Sequence, residues 1–150
     1  MGFVWSYLGA ALAVALAGIG SAIGIGYAGQ ATAGVMSEDP RNFGKYLILT
    51  ALPGTQGIYG FVAGFLALNK IGALAATMSP EVGLQIFLAC LPVALAGMLS
   101  AIHQGKVCTA GVGLTAKQPA ESGKALVLGV FVEFYAVLGL LITIFLLNAI

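Results

Sequence analysis

Val14-Ala15-Leu16-Ala17-Gly18 returns later in the chain as Val93-Ala94-Leu95-Ala96-Gly97, and Ser21-Ala22-Ile23 returns as Ser100-Ala101-Ile102. Both recurrences have the same offset, 93 − 14 = 79 residues. That shift also carries Gly26, Gly34, Pro40, Gly44, Lys45 and Gly60 onto Gly105, Gly113, Pro119, Gly123, Lys124 and Gly139 without a gap. Apolar composition produces chance matches among Ala, Val and Leu. It does not align Pro, Lys and several Gly in one register, so the chain reads as a tandem duplication.

Each copy holds two apolar stretches long enough to cross a bilayer core of about 30 Å, which takes about 20 residues of helix. They run from Trp5 to Met36, Tyr46 to Asn69, Val82 to Leu114 and Lys124 to Ile150. At about 1.5 Å per residue the first and third exceed the core and must tilt or protrude. The links are short and polar: Ser37 to Asn42, Lys70 to Glu81, and Ala116 to Glu121, with Ser79-Pro80-Glu81 as a helix-start signal for the third span. The expected fold is an all-α membrane protein of four transmembrane helices, in two hairpins, residues 1–79 and 80–150. Two spans per copy is an even number, so the copies cross the membrane in the same direction, as a parallel duplication.

Composition agrees. Only 7% of the 150 residues are charged, 60% are hydrophobic, and the mean hydropathy is +1.05. A soluble domain carries about 25% charged residues, so this surface is built for lipid. A net charge of +1 and the absence of a basic run exclude nucleic acid as a partner. Cys90 and Cys108 lack metal-ligand spacing and read as packing residues. Met1, Gly2 and Ser6 fit a myristoylation pattern, but the pattern runs into an apolar helix that needs no lipid anchor. No Lys or Arg precedes Arg41, so a signal peptide is not expected and the first span should remain in the mature chain. Arg41 and Lys45 flank the first loop and Lys117 and Lys124 the third, against Lys70 alone in the middle loop. By the positive-inside rule the first and third loops are cytoplasmic and both termini lie opposite.

The first span carries two rows of small residues, Gly18, Ala22, Gly26 and Gly20, Gly24. Such rows let backbones approach closely in lipid and suit the inner wall of a ring. The run Gly18 to Gly24 has the wrong spacing for a nucleotide-binding glycine loop, and no strand precedes it.

Four of the five acidic residues sit at loops or helix ends; Glu133 lies inside Val130-Phe131-Val132-Glu133-Phe134-Tyr135-Ala136-Val137. A charge at mid-membrane costs about 2.5–3.5 kcal/mol on insertion scales, and intramembrane ionisable residues mark transport sites. No Lys or Arg stands at its depth, since Lys106 is placed to snorkel toward the cytoplasmic end. Neutral oxygens do: Leu52-Pro53-Gly54-Thr55-Gln56-Gly57-Ile58-Tyr59 puts Thr55, Gln56 and Tyr59 on one helical face, and Gln104 lies in the third span. Pro53 lacks an N–H, which frees the carbonyl of Leu49 and distorts the backbone nearby. One carboxylate with several neutral oxygens makes a nest for a small hard cation. A single histidine, His103, makes no metal cluster and reads as a packing or pore-lining residue. The repeat counterpart of Glu133 is Gly54 (133 − 79), so the second copy alone keeps the carboxylate, giving one ion per four spans.

Leu52-Pro53-Gly54-Thr55-Gln56-Gly57-Ile58-Tyr59-Gly60-Phe61, Gln104-Gly105-Lys106-Val107, and Val132-Glu133 with Tyr135-Ala136 and Leu138-Gly139 resemble the proteolipid (c or K) subunit of V-type and A-type rotary ATPases, over essentially the whole chain. The resemblance implies a homo-oligomeric ring. The ring turns against a static membrane subunit whose Arg faces each carboxylate, and soluble ATPase machinery drives it through a central-stalk subunit at the cytoplasmic loops. Sodium-type members are similar to this chain in Thr-Gln on the second span and Gln on the third. They imply Na⁺ ligands at the Leu52 carbonyl, Thr55, Gln56, Gln104 and Glu133, with Tyr59 locking Glu133 by a hydrogen bond. Phe134 stands where some sodium-type relatives carry a hydroxyl, which removes one secondary hydrogen bond.

The expected function is ion translocation, with Na⁺ favoured as the transported ion, H⁺ as the alternative, and no cofactor. A prokaryotic cell membrane is the expected location. No ATP-binding loop is present in the sequence, so the chain is expected to be a non-catalytic subunit. A proton-coupled antiporter with one membrane Glu is the rival reading, but such carriers place that Glu in the first helix and work as inverted dimers. A structural pore would leave Glu133 and its neutral oxygens without a reason.

Overall fold

The computed structural model describes Met1–Ile150 and is helical almost throughout. Helix α1 spans Gly2–Glu38. The second span is two helices, α2 (Phe43–Ala51) and α3 (Thr55–Ala73), joined by one tight 3-10 turn at Leu52–Gly54. Helix α4 spans Pro80–Lys117 and α5 spans Ser122–Ala149. All four spans are long and apolar enough to cross a membrane. At about 1.5 Å per residue, the 37 residues of α1 and 38 of α4 reach about 55 Å, well beyond the bilayer core.

Local chemistry sets the helix ends. Asp39 has extended backbone angles and its carboxylate accepts the Arg41 N–H at 3.0 Å, which stops α1 and starts the short turn Pro40–Asn42. The Arg41 guanidinium donates to the same carboxylate, and these hydrogen bonds hold the Asp39 carboxyl down at about 2. Ser79 caps α4 by accepting from the Val82 N–H at 3.2 Å, with Pro80 at the first helical position.

Helices α1 and α4 run against each other along their length and form the inner pair, while α3 lies on α1 and α5 on α4. The two outer helices also touch each other. The inner contact is backbone on backbone. A methyl added at Gly20 would collide with the Met98 backbone, and one at Gly24 with the Ala101 carbonyl and Pro53. Gly105 sits directly on Gly24. The other row behaves differently: no atom of the chain lies within 4 Å of where a Cβ would stand on Gly18 or Gly26. One glycine row is thus packed and the other faces away from α4. Apolar packing continues below and above the middle of the bundle in two clusters, one around Ile71, Ile86 and Val93, the other around Tyr46, Leu49 and Val112. Large side chains such as Phe61, Phe65, Phe131 and Phe145 remain exposed, as expected for a surface covered by lipid or by other copies.

Candidate functional site

Pro53 ends the α2 hydrogen-bond ladder, and the chain tightens into the Leu52–Gly54 turn before α3 begins. The backbone distortion expected around Pro53 is this turn, and the Leu52 carbonyl within it accepts both the Thr55 N–H and the Thr55 hydroxyl, the latter at 3.0 Å. Thr55 also stands 3.2 Å from Gln56 Oε1. Gln56 Nε2 donates from the outer helix α3 to Gln104 Oε1 on the inner helix α4 at 2.6 Å. Gln104 Nε2 in turn donates to Glu133 Oε2 at 3.3 Å and to the Gly129 carbonyl at 3.0 Å. Tyr59 closes the set, its hydroxyl donating to Glu133 Oε1 at 2.5 Å. All six positions named from the sequence therefore meet in one network, drawn from α3 and its preceding turn, α4 and α5.

Gln56 and Gln104 are fully buried, at 0% exposure, whereas Glu133 is half-buried on the outer side of the bundle. A buried amide must have its groups satisfied, and these two are satisfied by each other and by the carboxylate. Both Glu133 oxygens accept a hydrogen bond, one from Tyr59 and one from Gln104. No cation of the protein balances the carboxylate: the ion pairs in the chain are Arg41 with Asp39 and Lys124 with Glu121, both at the loop end. No second carboxylate, His or Cys joins Glu133 in a metal-binding cluster. Neutral oxygens around one negative charge suit a hard monovalent cation or a proton, not a soft transition metal.

Three polar contacts near the site were not read from the sequence. The Gly129 carbonyl holds the Gln104 amide. Ser21 Oγ accepts the Gly57 N–H at 2.8 Å, binding α1 to the start of α3. Farther off, the buried Thr143 hydroxyl accepts the Val93 N–H at 3.3 Å, just after Pro92. A Ser or Thr inside an apolar helix is the signal that would have marked the last two. His103 is exposed on α4 and takes no part in the network.

The geometry defines a class: a helical membrane protein with one half-buried carboxylate set among neutral oxygens. The family model of the ATP synthase C subunit matches the chain twice, at residues 8–67 and 87–146, and these two matches are offset by 87 − 8 = 79 residues, the period of the sequence repeat. The chain belongs to that family, as a duplicated member of the c/K proteolipid type. It is 44% identical to the V-type sodium ATPase subunit K of Enterococcus hirae over 99% of this chain and 94% of that one. It is 46% identical to the A-type ATP synthase subunit K of Methanocaldococcus jannaschii over 93% of this chain and 60% of that one. It is 30% identical to the 16 kDa proteolipid (the c subunit) of the V-type proton ATPase of Nephrops norvegicus, over 93% of this chain and 87% of that protein. All three relatives are subunits of larger ATPases or synthases.

Proposed function

We propose that this chain is the ion-carrying rotor subunit of a V/A-type ATPase and that it carries one Na⁺ per chain at Glu133. Copies form a ring, and residues 1–79 and 80–150 are its two hairpin units, of which only the second bears the carboxylate. The ligands are the Leu52 carbonyl, Thr55, Gln56, Gln104 and Glu133, and Tyr59 latches the carboxylate. The observation that carries this reading is the unbroken hydrogen-bonded network joining those groups to a carboxylate with no basic partner. The 44% identity to a sodium-type subunit K supports Na⁺ over H⁺ as the cargo.

Desolvation drives the cycle. A carboxylate turning through lipid is neutralised by bound cation or proton, because the bare charge is too costly there. Beside an Arg on the static membrane subunit, the charged form becomes favourable and the ion leaves. The first and third loops face the cytoplasm and meet the central stalk, while ATP is turned over in partner subunits. Membrane potential contributes about 2.3 kcal/mol per charge per 100 mV, so several sites are crossed for each ATP. One site per four spans lowers the ion count per turn, which favours a pump working against a steep gradient. A count of copies per ring combined with reversal-potential data tests that last step.

The deciding experiment is carbodiimide labelling of Glu133 in the purified ring, since the reagent attacks the protonated carboxyl. Sodium, and not potassium, is expected to slow labelling, and protection should weaken as pH falls because protons compete for the carboxylate. Labelling that follows pH and ignores sodium makes this a proton rotor and returns Gln56 and Gln104 to packing roles. Absence of labelling removes Glu133 from the transport path.

A further inference from the structure

We propose that Ser21, on the inner helix α1, caps the N-terminus of the outer helix α3 and thereby positions Thr55 and Gln56 for the cation. It is a positioning residue, not a ligand. This rests on the sodium-carrying reading above and adds a residue outside the ligand set that tunes its affinity.

The need for a cap comes from the break at Pro53. A helix start leaves its first N–H groups without partners one turn back, and a Ser, Thr, Asp or Asn at the N-cap normally accepts one from the second or third helical residue. Helix α3 begins at Thr55, with Gly54 at its N-cap position. Gly54 has no side chain, so α3 cannot cap itself. The third helical residue is Gly57, and its N–H donates to Ser21 Oγ at 2.8 Å. A hydroxyl from another helix thus takes the capping role. The approach is close: a Cβ built on Gly57 would stand 3.2 Å from Ser21 Oγ, 3.3 Å from Ser21 Cβ and 3.6 Å from Gly18 Cα. Ser21 is only 6% exposed, and a donor left unpaired against such a buried wall is costly.

What this cap holds is the turn that bears the oxygens. Thr55 and Gln56 are the first and second residues of α3. The Leu52 carbonyl fastens that turn at its start, and Ser21 fastens it at Gly57. Ser21 itself stands on a firm base. Its neighbours along α1, Gly20 and Gly24, lie against the backbone of Met98 and Ala101 on α4, and Gly24 lies against Gly105 as well. Gln104 is the residue before Gly105. Helix α1 therefore ties the register of Gln56 to that of Gln104, and their 2.6 Å hydrogen bond tolerates little displacement.

The repeat provides a comparison inside the molecule. Ser100 is the counterpart of Ser21, 79 positions on. Its hydroxyl donates to the Gly97 carbonyl of its own helix at 3.3 Å. The counterpart of Gly57 is Ala136, in the interior of the unbroken helix α5, where the helix ladder already takes the N–H. The same serine caps its neighbour only in the half where the neighbouring helix is broken, and that half bears Thr55 and Gln56. A second hydroxyl between helices does a purely structural job. Thr143 Oγ1 accepts the Val93 N–H at 3.3 Å, just after Pro92. Val93 stands 104 − 93 = 11 residues from Gln104 on α4, about 16 Å along the axis, well away from the network.

The test uses the full chain as its purified ring, with carbodiimide labelling of Glu133 as the readout. Ser21→Ala is compared with Thr143→Val and with the unaltered chain. Ser21→Ala is expected to raise the sodium concentration that halves the labelling rate about 5–10-fold. It should leave the pH midpoint of labelling in sodium-free buffer where it was, because Tyr59 and Gln104 still hold the carboxylate. Thr143→Val is expected to lower the temperature at which the ring dissociates and to leave the sodium concentration unchanged. Ser21→Cys keeps the shape of the side chain with a weaker acceptor, and it carries the same comparison if Ser21→Ala does not assemble. A serine variant with ordinary sodium protection overturns the positioning role and leaves the sodium site standing. An equal loss of protection in Thr143→Val also overturns it, since the loss of any hydrogen bond between helices would then have the same effect. An unaltered ring without sodium protection removes the sodium reading, and the role of Ser21 with it.

Discussion

The turn Leu52–Gly54 and the segment Phe131–Glu133 occupy the same place in the two halves of the repeat, and they do opposite things. The first breaks its helix at Pro53, turns a carbonyl toward its neighbours and carries no charge. The second is unbroken α-helix and carries the one carboxylate in the membrane region. Neither hairpin holds a whole site. The first supplies the carbonyl, two oxygen-bearing side chains and the phenol, while the second supplies one amide and the acid. The halves can divide these groups between them because they meet within a single chain. What the pair teaches is that a helix break in one half and a carboxylate in the other together assemble one oxygen set, where neither half has both.

The asymmetry between the halves is most vulnerable at the acid itself. Glu133→Gln is expected to abolish sodium-protected labelling and ATP-driven ion uptake in the assembled enzyme; retained uptake would move transport elsewhere. Next comes the reciprocal change. Gly54→Glu places a second carboxylate beside Ile25, with a cost of about 3 kcal/mol for an unpartnered acid in the membrane. It should label with a pH dependence and no sodium protection, while Glu133 keeps its own protection. Sodium protection at both positions would show that a carboxylate alone suffices. Gln56→Leu or Gln104→Leu removes one oxygen and leaves its partner amide unsatisfied, and is expected to weaken sodium protection about 10–100-fold, read as the sodium concentration that halves the labelling rate. The smallest effect belongs to Tyr59→Phe. It loses one hydrogen bond and no cage oxygen, about 1 kcal/mol where a bound cation already balances the carboxylate, and should raise labelling at a given sodium level about fivefold without removing the ion specificity.

Much of this was legible in the sequence because membrane proteins advertise their constraints. A 79-residue period, four apolar stretches and a single mid-span acid leave little freedom in the fold. Thr55, Gln56, Tyr59 and Gln104 stood out because polar side chains are scarce in such helices, and the structure gathers them. The Gly129 carbonyl did not stand out, since every residue has one and only tertiary packing selects which is used. The two glycine rows of α1 also looked alike in composition. Their difference, one packed against α4 and one open, depends on which flank the second hairpin occupies, and a one-dimensional pattern does not encode a flank.

The uneven burial of the network has a kinetic consequence. Gln56 and Gln104 are sealed at 0% exposure, and the Thr55 hydroxyl donates to the Leu52 carbonyl, so three walls of the proposed cage are held by packing or by hydrogen bonds. Glu133 is half-buried, like Thr55 and Tyr59, and is fastened by the Tyr59 hydroxyl. Under the proposed function, loading and unloading would need only the Glu133 side chain to swing and the Tyr59 hydrogen bond to open. In the proposed cycle, dwell time per ion would follow that latch and selectivity the buried walls, so speed and choice could be tuned by separate residues.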